Sequence, residues 1–298
     1  MVDPKLSVVI ASVNGLPVID ECLRALEKQR GGVVAETIVI DCCPNRTAEH
    51  IRETFPRVKV FEASGRPGIP ELRAIGFSHA AGDIIAVIED HCIVAEDWAQ
   101  ETVNAHQDGY AAVGGAVENA SVDRIVDWAA FFCEYSHAML PIPDAEADYI
   151  TGNNTSYRRE VLLSVDESVR KNYWEFFLHD EMRKRGVRFM SSPRVLVYHK
   201  KEFGFLYFIA QRFHYSRSFA AMRSARMSTF YRLCFALLSP ALPAVMAARI
   251  TAQVLKKGRH YREFLLALPL LTVFLIAYAI GELCGTLVGP GESLRRVE

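Results

Sequence analysis

Short apolar, β-branched runs alternate with segments of helical periodicity in the N-terminal part of the chain, and this order constrains the fold more than any other feature. The runs are Leu6–Ser12, Glu36–Asp41, Val58–Phe61 and Ile84–Ile88. Helices are expected between them, at 17–30, 47–55 and 70–81. Because strands joined by single helices run parallel, the pattern predicts an α/β fold with a helix-covered sheet. The crossovers should be right-handed.

The fourth apolar run ends in a cluster of acidic and imidazole side chains. Ile84–Ile88 is followed directly by Glu89, Asp90 and His91. Open α/β sheets bind ligands at the carboxyl ends of their strands, so these groups are candidates for a site. Glu89 and His91 are two residues apart and would point the same way if the strand continued, which suits them to hold one cation. The alternative interpretation is a solvated strand end that carries an acid pair.

Composition and missing motifs narrow the functional class. The net charge of -1 gives no sign of a nucleic-acid binder, and seven cysteines without CxxC spacing indicate reduced thiols in the cytoplasm. The first residues lack the charged and apolar regions of a signal peptide, so no export is expected. Neither a GxGxxG nor a GxxxxGK[ST] loop follows a strand. A metal, rather than a glycine-rich loop alone, is therefore expected to meet any phosphate.

The C-terminal part of the chain is apolar enough to associate with a membrane. Leu233–Leu255 and Phe264–Cys284 each have the roughly twenty residues that a membrane helix requires. The first contains Pro240 and Arg249, which favour a kinked or interfacial segment over a clean span. If both segments span, the basic loop 256–262 faces outward, against the positive-inside tendency. An interfacial first segment removes this conflict.

The sequence thus predicts a head with a membrane-associated tail. Ser121–Met139 carries apolar residues at helical spacing and is interpreted as part of the head, either as core or as the wall of an acceptor cleft. The protein is expected at a membrane, with its head in the cytoplasm. The expected divisions are a head domain at 1–205, an amphipathic basic juxtamembrane helix at 206–232 and membrane-associated helices at 233–298.

A central segment resembles a known enzyme family. Tyr149–Leu162 reads Tyr-Ile-Thr-Gly-Asn-Asn-Thr-Ser-Tyr-Arg-Arg-Glu-Val-Leu and is similar to the Gly-x-Asn-x-x-x-Arg-Arg-x-x-Leu segment of family-2 glycosyltransferases with the GT-A fold. Ser7–Asn14 resembles that family's first nucleotide-contacting strand and loop, and Gly68–Gly82 the stretch before its metal-binding strand. Glu89–His91 stands where the family has Asp-x-Asp. The resemblance covers roughly residues 6–200 and implies a Rossmann-like mixed sheet flanked by helices.

The resemblance also implies a nucleotide-sugar donor and a divalent metal, Mn²⁺ or Mg²⁺. Asp41 would lie on the uracil side, and Asp90 would contact the sugar or ribose or share the metal. The expected metal ligands are Glu89, His91 and the strand-end His199, and an imidazole ligand suits manganese better than magnesium. His91 has the alternative role of a hydrogen-bond partner for a phosphate oxygen. The expected donor-binding residues are Ser12, Asn14, Asp41, Arg73, Asp90, Gly152, Asn153 and Arg212.

Candidates for the catalytic base lie in the segment 173–186. Its similarity to the family's Asp-x-x-Leu-x-x-x-Leu-x-x-x-Gly spacing places Glu175 on the base, while a shifted register nominates Asp180 or Glu181. The other interpretation is a charged surface helix. Arg212 is interpreted either as a clamp for a diphosphate or lipid phosphate, or as part of a basic helix that meets anionic headgroups.

Together these features imply an inverting glycosyltransferase that moves a sugar from a nucleoside-diphosphate donor to a lipid-linked or envelope-glycan acceptor. Two departures from the family pattern support alternatives. Cys42 and Cys43 follow Asp41, and Glu-Asp-His replaces Asp-x-Asp. One alternative is a GT-A-like module that binds a nucleotide sugar without catalysis, and the other is a membrane scaffold.

Overall fold

The computed structural model describes residues 5–33, 35–107 and 109–297. The chain forms two compact units, and each is discontinuous in sequence. The first unit contains Met1–Glu118 and Leu140–Lys200. The second contains Asn119–Met139 and Lys201–Glu298. The expected boundary at 205 therefore differs from the observed division, because the helical stretch before residue 140 belongs to the second unit rather than to the head.

One mixed sheet organises the first unit. Nine strands are found in the described residues, in the order β3-β2-β1-β4-β8-β6-β9-β5, and β7 pairs with β9. The strands are β1 Leu6–Ser12, β2 Ala35–Asp41, β3 Lys59–Glu62, β4 Ile84–Glu89, β5 Cys92–Val94, β6 Ala112–Asn119, β7 Ala145–Ala147, β8 Thr155–Arg158 and β9 Phe189–His199.

Helices flank the sheet of the first unit and make up most of the second. The first-unit helices are α1 Val18–Glu27, α2 Thr47–Thr54, α3 Ile69–His79, α4 Trp98–Ala105, α6 Arg159–Ser164, α7 Glu167–Asn172 and α8 Glu175–Lys184. The second-unit helices are α5 Ile125–Tyr135, α9 Phe205–Ser224, α10 Thr229–Leu238, α11 Leu242–Lys257 and α12 Tyr261–Val288.

The parallel half of the sheet confirms the prediction made from the alternating pattern. Strands β3, β2, β1 and β4 are parallel, and every residue of β1 is buried, as its uninterrupted apolar run indicated. The register places Ser12 opposite Asp41 and Ala11 opposite Glu89. The carboxyl ends of these strands thus share one edge. Strand β8 then pairs antiparallel with both β4 and β6, so the sheet is mixed.

The C-terminal segments differ in continuity. Helix α12 is unbroken, whereas α10 and α11 are separated by a short 3₁₀ turn, Ser239–Ala241, that contains Pro240. Within the described residues, the stretches Thr229–Lys257 and Tyr261–Val288 are long and apolar enough to cross a membrane, by length and composition alone. The amphipathic helix expected at 206–232 takes another form, because α9 ends at Ser224 and buries small and polar residues in place of one apolar face.

Small residues bring α9 and α12 into close contact. A Cβ atom on Gly281 would lie 2.1 Å from Ser216 Oγ and 2.3 Å from the carbonyl oxygen of Phe213. A Cβ atom on Gly285 would lie 2.2 Å from the carbonyl oxygen of Arg217. The two glycines are four residues apart, so they face the same side of α12 and form a small-xxx-small contact surface.

We expect Gly281→Ala to destabilise the protein, although alanine normally favours a helix over glycine by about 1 kcal/mol. The added methyl group meets a backbone carbonyl that cannot rotate away, so the net loss should be about 1–3 kcal/mol. Thermal unfolding of the full chain measures it. The exposed neighbour Ile280 provides the control, since Ile280→Ala should change the melting temperature little. A melting temperature for Gly281→Ala at or above that of the unchanged chain would show that the helices are not in close contact.

Candidate active site

Three potential metal ligands converge at the carboxyl edge of the sheet. Glu89 ends β4, and His91 immediately precedes β5, whose first residue pairs with His199 at the end of β9. Glu89 Oε2 lies 3.4 Å from His91 Nε2 and 3.7 Å from His199 Nε2, and the two Nε2 atoms are 2.8 Å apart. The antiparallel pairing of β5 with β9 therefore joins residues that are far apart in sequence.

Asp90 points away from this triangle and holds the loop that follows β1. Its Oδ2 accepts hydrogen bonds from the backbone amides of Val13 (2.9 Å) and Asn14 (2.8 Å), and its Oδ1 accepts one from Asn14 Nδ2 (2.7 Å). Asp90 Oδ1 is also 2.9 Å from His91 Nδ1. Burial acts to raise the pKa of Asp90, but the hydrogen bonds with His91 and Asn14 hold it below its ordinary value.

The contact between Asp90 and His91 fixes which imidazole nitrogen is available as a ligand. A carboxylate that accepts the Nδ1 proton places the lone pair on Nε2, which is the form of histidine that binds a cation in many metal sites. With both oxygens engaged and almost no exposed surface, Asp90 orients His91 in this structure. Its expected contact with the sugar or ribose stays a prediction.

Glu89 is held in place by Asn153. The Asn153 Nδ2 group donates to Glu89 Oε2 (2.9 Å), and the same side chain contacts the Cys92 sulfur. Loss of water around Glu89 acts to raise its pKa, but His91, followed by His199 and Arg73, holds that pKa far below its ordinary value. Glu89 is therefore ionised, which is the form that binds a cation.

Ser12 and Asp41 lie side by side at the same edge. Ser12 Oγ donates to Asp41 Oδ1 (2.8 Å), and both side chains are buried. Cys43 lies next to them, with its sulfur 3.5 Å from the carbonyl oxygen of Ser12. Burial raises the pKa of the Cys43 thiol to about 12, so this thiol is protonated at neutral pH and is not a thiolate ligand.

Glu175 lies at the start of α8 in contact with Arg73 of α3. The two side chains form a largely buried ion pair, and both line a small pocket together with Tyr157. Gly152 makes room for Glu175, because a Cβ atom on that glycine would lie 2.8 Å from Glu175 Oε2. Since Arg73 also lowers the pKa of Glu89, one guanidinium acts on both carboxylates.

Two other predicted site residues, Asp180 and Arg212, form ion pairs outside this cluster of carboxylates and histidines. Asp180 forms ion pairs with Arg183 (3.4 Å) and Lys184 (2.8 Å) on a partly exposed face of α8, as the surface-helix interpretation describes. Arg212 belongs to the second unit, where it pairs with Glu134 and lies over the rings of two aromatic residues of α9. These contacts are those of a structural ion pair, and the expected role of Arg212 in donor binding stays a prediction.

Asn154 was not among the expected site residues, although it is the asparagine of the quoted Gly-x-Asn segment. It has a positive φ of 56°, and its Nδ2 donates to the carbonyl oxygens of Ala116 and Val195 at 2.8 Å each. Its Oδ1 accepts a hydrogen bond from Trp98 Nε1 (2.8 Å). Asn154 therefore connects β6, β9 and α4 and supports Asn153 and Gly152, which precede it.

The triangle of Glu89, His91 and His199 fits one divalent ion. An ion about 2.1 Å from each of three neighbouring ligand atoms separates those atoms by about 3 Å, close to the edges observed. Two imidazole nitrogens with one carboxylate oxygen suit Mn²⁺ and other transition metals better than Mg²⁺, which prefers oxygen ligands. The ligand roles of these residues stay a prediction.

Sequence comparisons identify relatives of this chain. The family model described as Glycosyl transferase family 2 matches residues 7–166. Polypeptide N-acetylgalactosaminyltransferase 12 of Mus musculus is 28% identical over 138 residues, covering 43% of this chain and 23% of that protein. The inactive polypeptide N-acetylgalactosaminyltransferase-like protein 5 of Macaca fascicularis is 27% identical over 66 residues, covering 22% of this chain and 15% of that protein. The chain thus matches less than a quarter of the length of either curated relative.

Two solved structures have a similar fold. The mannosyltransferase PcManGT from Pyrobaculum calidifontis, in complex with GDP-Man and Mn²⁺, has a TM-score of 0.59 at 19% identity and covers 95% of this chain and 88% of that chain. S. aureus TarS 1–349, in complex with UDP, has a TM-score of 0.50 at 15% identity and covers 94% of this chain and 90% of that chain. These similarities confirm the predicted GT-A fold.

We expect the full chain to bind Mn²⁺ more tightly than Mg²⁺, with a stoichiometry of one. His199→Ala removes a ligand and should weaken Mn²⁺ binding at least about 100-fold. Asp90→Asn removes the carboxylate that orients His91 and holds the loop after β1, so it should weaken Mn²⁺ binding about 10–100-fold. Isothermal titration calorimetry measures both effects. Glu96→Gln, an exposed acid, is the control and should bind like the unchanged chain. Unaltered Mn²⁺ affinity in His199→Ala would rule out this triangle as the site.

Proposed function

The chain belongs to glycosyl transferase family 2, and from this we propose that it transfers a sugar from a nucleoside-diphosphate donor to an acceptor hydroxyl. The observation that carries the proposal is the convergence of Glu89, His91 and His199 beside the Ser12–Asp41 pair at one edge of a GT-A sheet. The two structural neighbours, solved with GDP-Man and Mn²⁺ and with UDP, support a nucleotide donor.

Each side chain of the triangle has a part in holding the donor's diphosphate. Glu89, His91 and His199 would hold a divalent cation there, which would neutralise the negative charge that develops on the departing diphosphate. Glu89 contributes a carboxylate that is already ionised, and Asp90 keeps the His91 Nε2 lone pair directed at the site. Asn153 prevents the Glu89 carboxylate from rotating away. These groups are set before the donor arrives, so little reorganisation is needed during transfer.

The nucleoside is proposed to lie against the Ser12–Asp41 pair. Asp41 Oδ1 accepts from Ser12, which leaves Oδ2 to accept a hydrogen bond from a base N–H group. Asn14 is fixed by Asp90 through both its amide and its side chain, so the loop after β1 forms a rigid wall for the ribose and phosphates. Cys42 stands where many family members have a second aspartate, so this position carries no carboxylate beside the donor.

Glu175 is proposed as the base that takes the proton from the acceptor hydroxyl. Its carboxylate forms an ion pair with Arg73 and lies beside Gly152. No second carboxylate is assigned as a nucleophile, so transfer proceeds in one displacement and inverts the anomeric centre. Asp180 is not needed for this role, since its partners are the basic residues of its own helix.

Exposed aromatic rings beside Glu175 support a sugar-containing acceptor. Tyr149 is 47% exposed and Phe176 is 37% exposed, and their ring centroids are 6.2 Å apart. Polarised C–H groups of a sugar ring pack well against the negative face of an aromatic ring. We therefore propose a lipid-linked or envelope-glycan acceptor, with the reaction at a membrane and the first unit in the cytoplasm.

A donor screen tests the reaction class. Purified full chain with Mn²⁺ is incubated with a panel of UDP- and GDP-sugars, and release of the nucleoside diphosphate is followed. We expect one donor to be turned over and Glu89→Ala to reduce its turnover at least about 100-fold. Binding of a donor by calorimetry without turnover would instead favour the non-catalytic binding module, and neither binding nor turnover would favour the scaffold.

Comparing Glu175→Gln with Asp180→Asn tests which of these two carboxylates is the base. The amide in Glu175→Gln cannot accept the hydroxyl proton, so transfer should fall about 10²–10⁴-fold while the affinity for the donor changes little. Asp180→Asn removes the other candidate carboxylate of α8, which pairs with Lys184, and it should leave the rate of transfer nearly unchanged. Steady-state kinetics of both variants with the donor identified by the screen provide the measurement. The opposite ranking of the two variants would assign the base to Asp180.

A further inference from the structure

We propose that the second unit binds an anionic bilayer by lying within one leaflet, without any helix that crosses the membrane. This inference concerns the membrane contact only and is independent of the transfer reaction, so its test requires no turnover.

The surface for lipid is formed by helices α10 and α12. None of the described residues of α10 is buried, and its exposed side chains include Phe230, Leu237 and Leu238. On α12 the exposed apolar residues recur at helical spacing and so form one stripe. That stripe contains Leu265, Val273, Ile276, Ile280 and Leu287. Water would meet a large contiguous apolar surface here, which indicates a lipid or protein partner.

The charge of the second unit favours lipid with anionic headgroups. The unit carries 14 Lys and Arg residues against eight Asp and Glu residues, although the net charge of the whole chain is -1. Several of the basic residues, including Arg226, Lys256 and Arg262, are exposed. Apolar side chains combined with surrounding cations are typical of segments that lie in the headgroup region.

The carboxyl-terminal turn shows why α12 does not cross the bilayer. The short helical turn Ser293–Arg296 packs on α9, where Gln211 Nε2 donates to the carbonyl oxygen of Arg296 (3.1 Å). His214 Nδ1 lies 3.1 Å from Ser293 Oγ. The chain after α12 thus turns back along α9.

This turn lies level with the middle of α12. Two aromatic residues flank Gln211 on α9. Phe208 contacts Phe274, and Tyr215 contacts Tyr278. Both of these partners lie near the midpoint of α12. In a helix that spans the bilayer, that midpoint lies in the hydrocarbon core.

Charged residues beside the midpoint would then have to be in hydrocarbon. The side chain of Glu292, directly before the turn, is 69% exposed, and that of Arg295, within the turn, is 63% exposed. Exposed charges at that depth are strongly disfavoured, so α12 lies along the membrane surface.

The α11–α12 turn leads to the same conclusion. Lys257 Nζ donates to the carbonyl oxygen of Met139, and the His260 ring lies 4.7 Å from Trp128. Both partners belong to the stretch Asn119–Met139, which leaves the first unit and returns to it along the chain. Its only helix has 11 residues, about 16 Å, too short to cross a 30 Å core. The basic turn therefore stays on the side of the membrane where this stretch begins and ends.

The first candidate span also carries an exposed charge. Arg249 is exposed in the middle of α11, and the stretch is bent at Ser239–Ala241. An interfacial position lets Arg249 reach the headgroups while its apolar neighbours contact lipid. This arrangement also removes the conflict with the positive-inside tendency, because the loop 256–262 need not be translocated.

Vesicle sedimentation of the full chain tests the lipid partner. We expect binding to phosphatidylcholine vesicles that contain phosphatidylglycerol, weaker binding to phosphatidylcholine alone, and release at high salt. The double variant Lys256→Glu/Arg262→Glu should weaken binding at least about tenfold. Its control, Lys28→Glu/Arg57→Glu on the first unit, should bind like the unchanged chain. Equal binding to both kinds of vesicle, or no effect of the Lys256→Glu/Arg262→Glu variant, would overturn the proposal that this surface binds anionic lipid.

Thiol accessibility tests whether a helix crosses. Single variants Arg262→Cys and Glu292→Cys are expressed in full-length form, and inside-out membrane vesicles are treated with an impermeant maleimide. Labelling is counted as the mass added beyond that of the unchanged chain. Glu53→Cys on the first unit reports the outward face, and we expect all three to be labelled without detergent. If Arg262→Cys is labelled only after detergent is added, two helical segments cross the membrane. If Glu292→Cys is the only variant that requires detergent, one segment crosses.

Discussion

The buried carboxylate of Asp90 connects the loop after β1 to His91, one of the proposed metal ligands. It accepts hydrogen bonds from two backbone amides and a side chain of the loop after β1, and it holds the Nδ1 face of His91. Hydrogen bonds to a charged group contribute about 1.5–3 kcal/mol each, so this carboxylate ties the loop firmly to the end of β4. His91 can present Nε2 to Glu89 and His199 only because Asp90 holds its opposite nitrogen. The loop after β1, which is proposed to contact the donor, and the proposed metal site therefore both depend on the Asp90 side chain.

Much of this site could be anticipated from sequence. The alternating pattern predicted parallel strands whose carboxyl ends share an edge, and Glu89, His91 and His199 each lie at or next to a strand end, where the structure brings them together. The direction of Asp90 could not be anticipated. Strand β4 ends at Glu89, so the alternation of side chains along a strand no longer applies one residue later. The role of Asp90 is set by loop amides 76 and 77 residues away along the chain.

Features that depend on distant partners were not predictable from local pattern. The spacing in α5 showed that one face would be buried, but not that α12 of the second unit would cover it, as the contact of Phe132 with Phe264 does. Asn154 has its role because two carbonyl oxygens from β6 and β9 converge on it. Apolar composition likewise gives the same signal for a helix that crosses a membrane and for one that lies in it. Polar contacts between α9 and the carboxyl-terminal turn distinguish the two cases.

The number of imidazole nitrogens bound to Mn²⁺ tests the central claim most directly. Pulsed electron paramagnetic resonance of the Mn²⁺-loaded full chain, with histidine in ¹⁴N and ¹⁵N forms, detects nitrogen in direct contact with the ion. We expect couplings from two histidines in the unchanged chain and from one in His91→Asp, which keeps a carboxylate ligand at that position. A bound Mn²⁺ without any histidine nitrogen coupling would contradict the assignment of Glu89, His91 and His199 as the metal site.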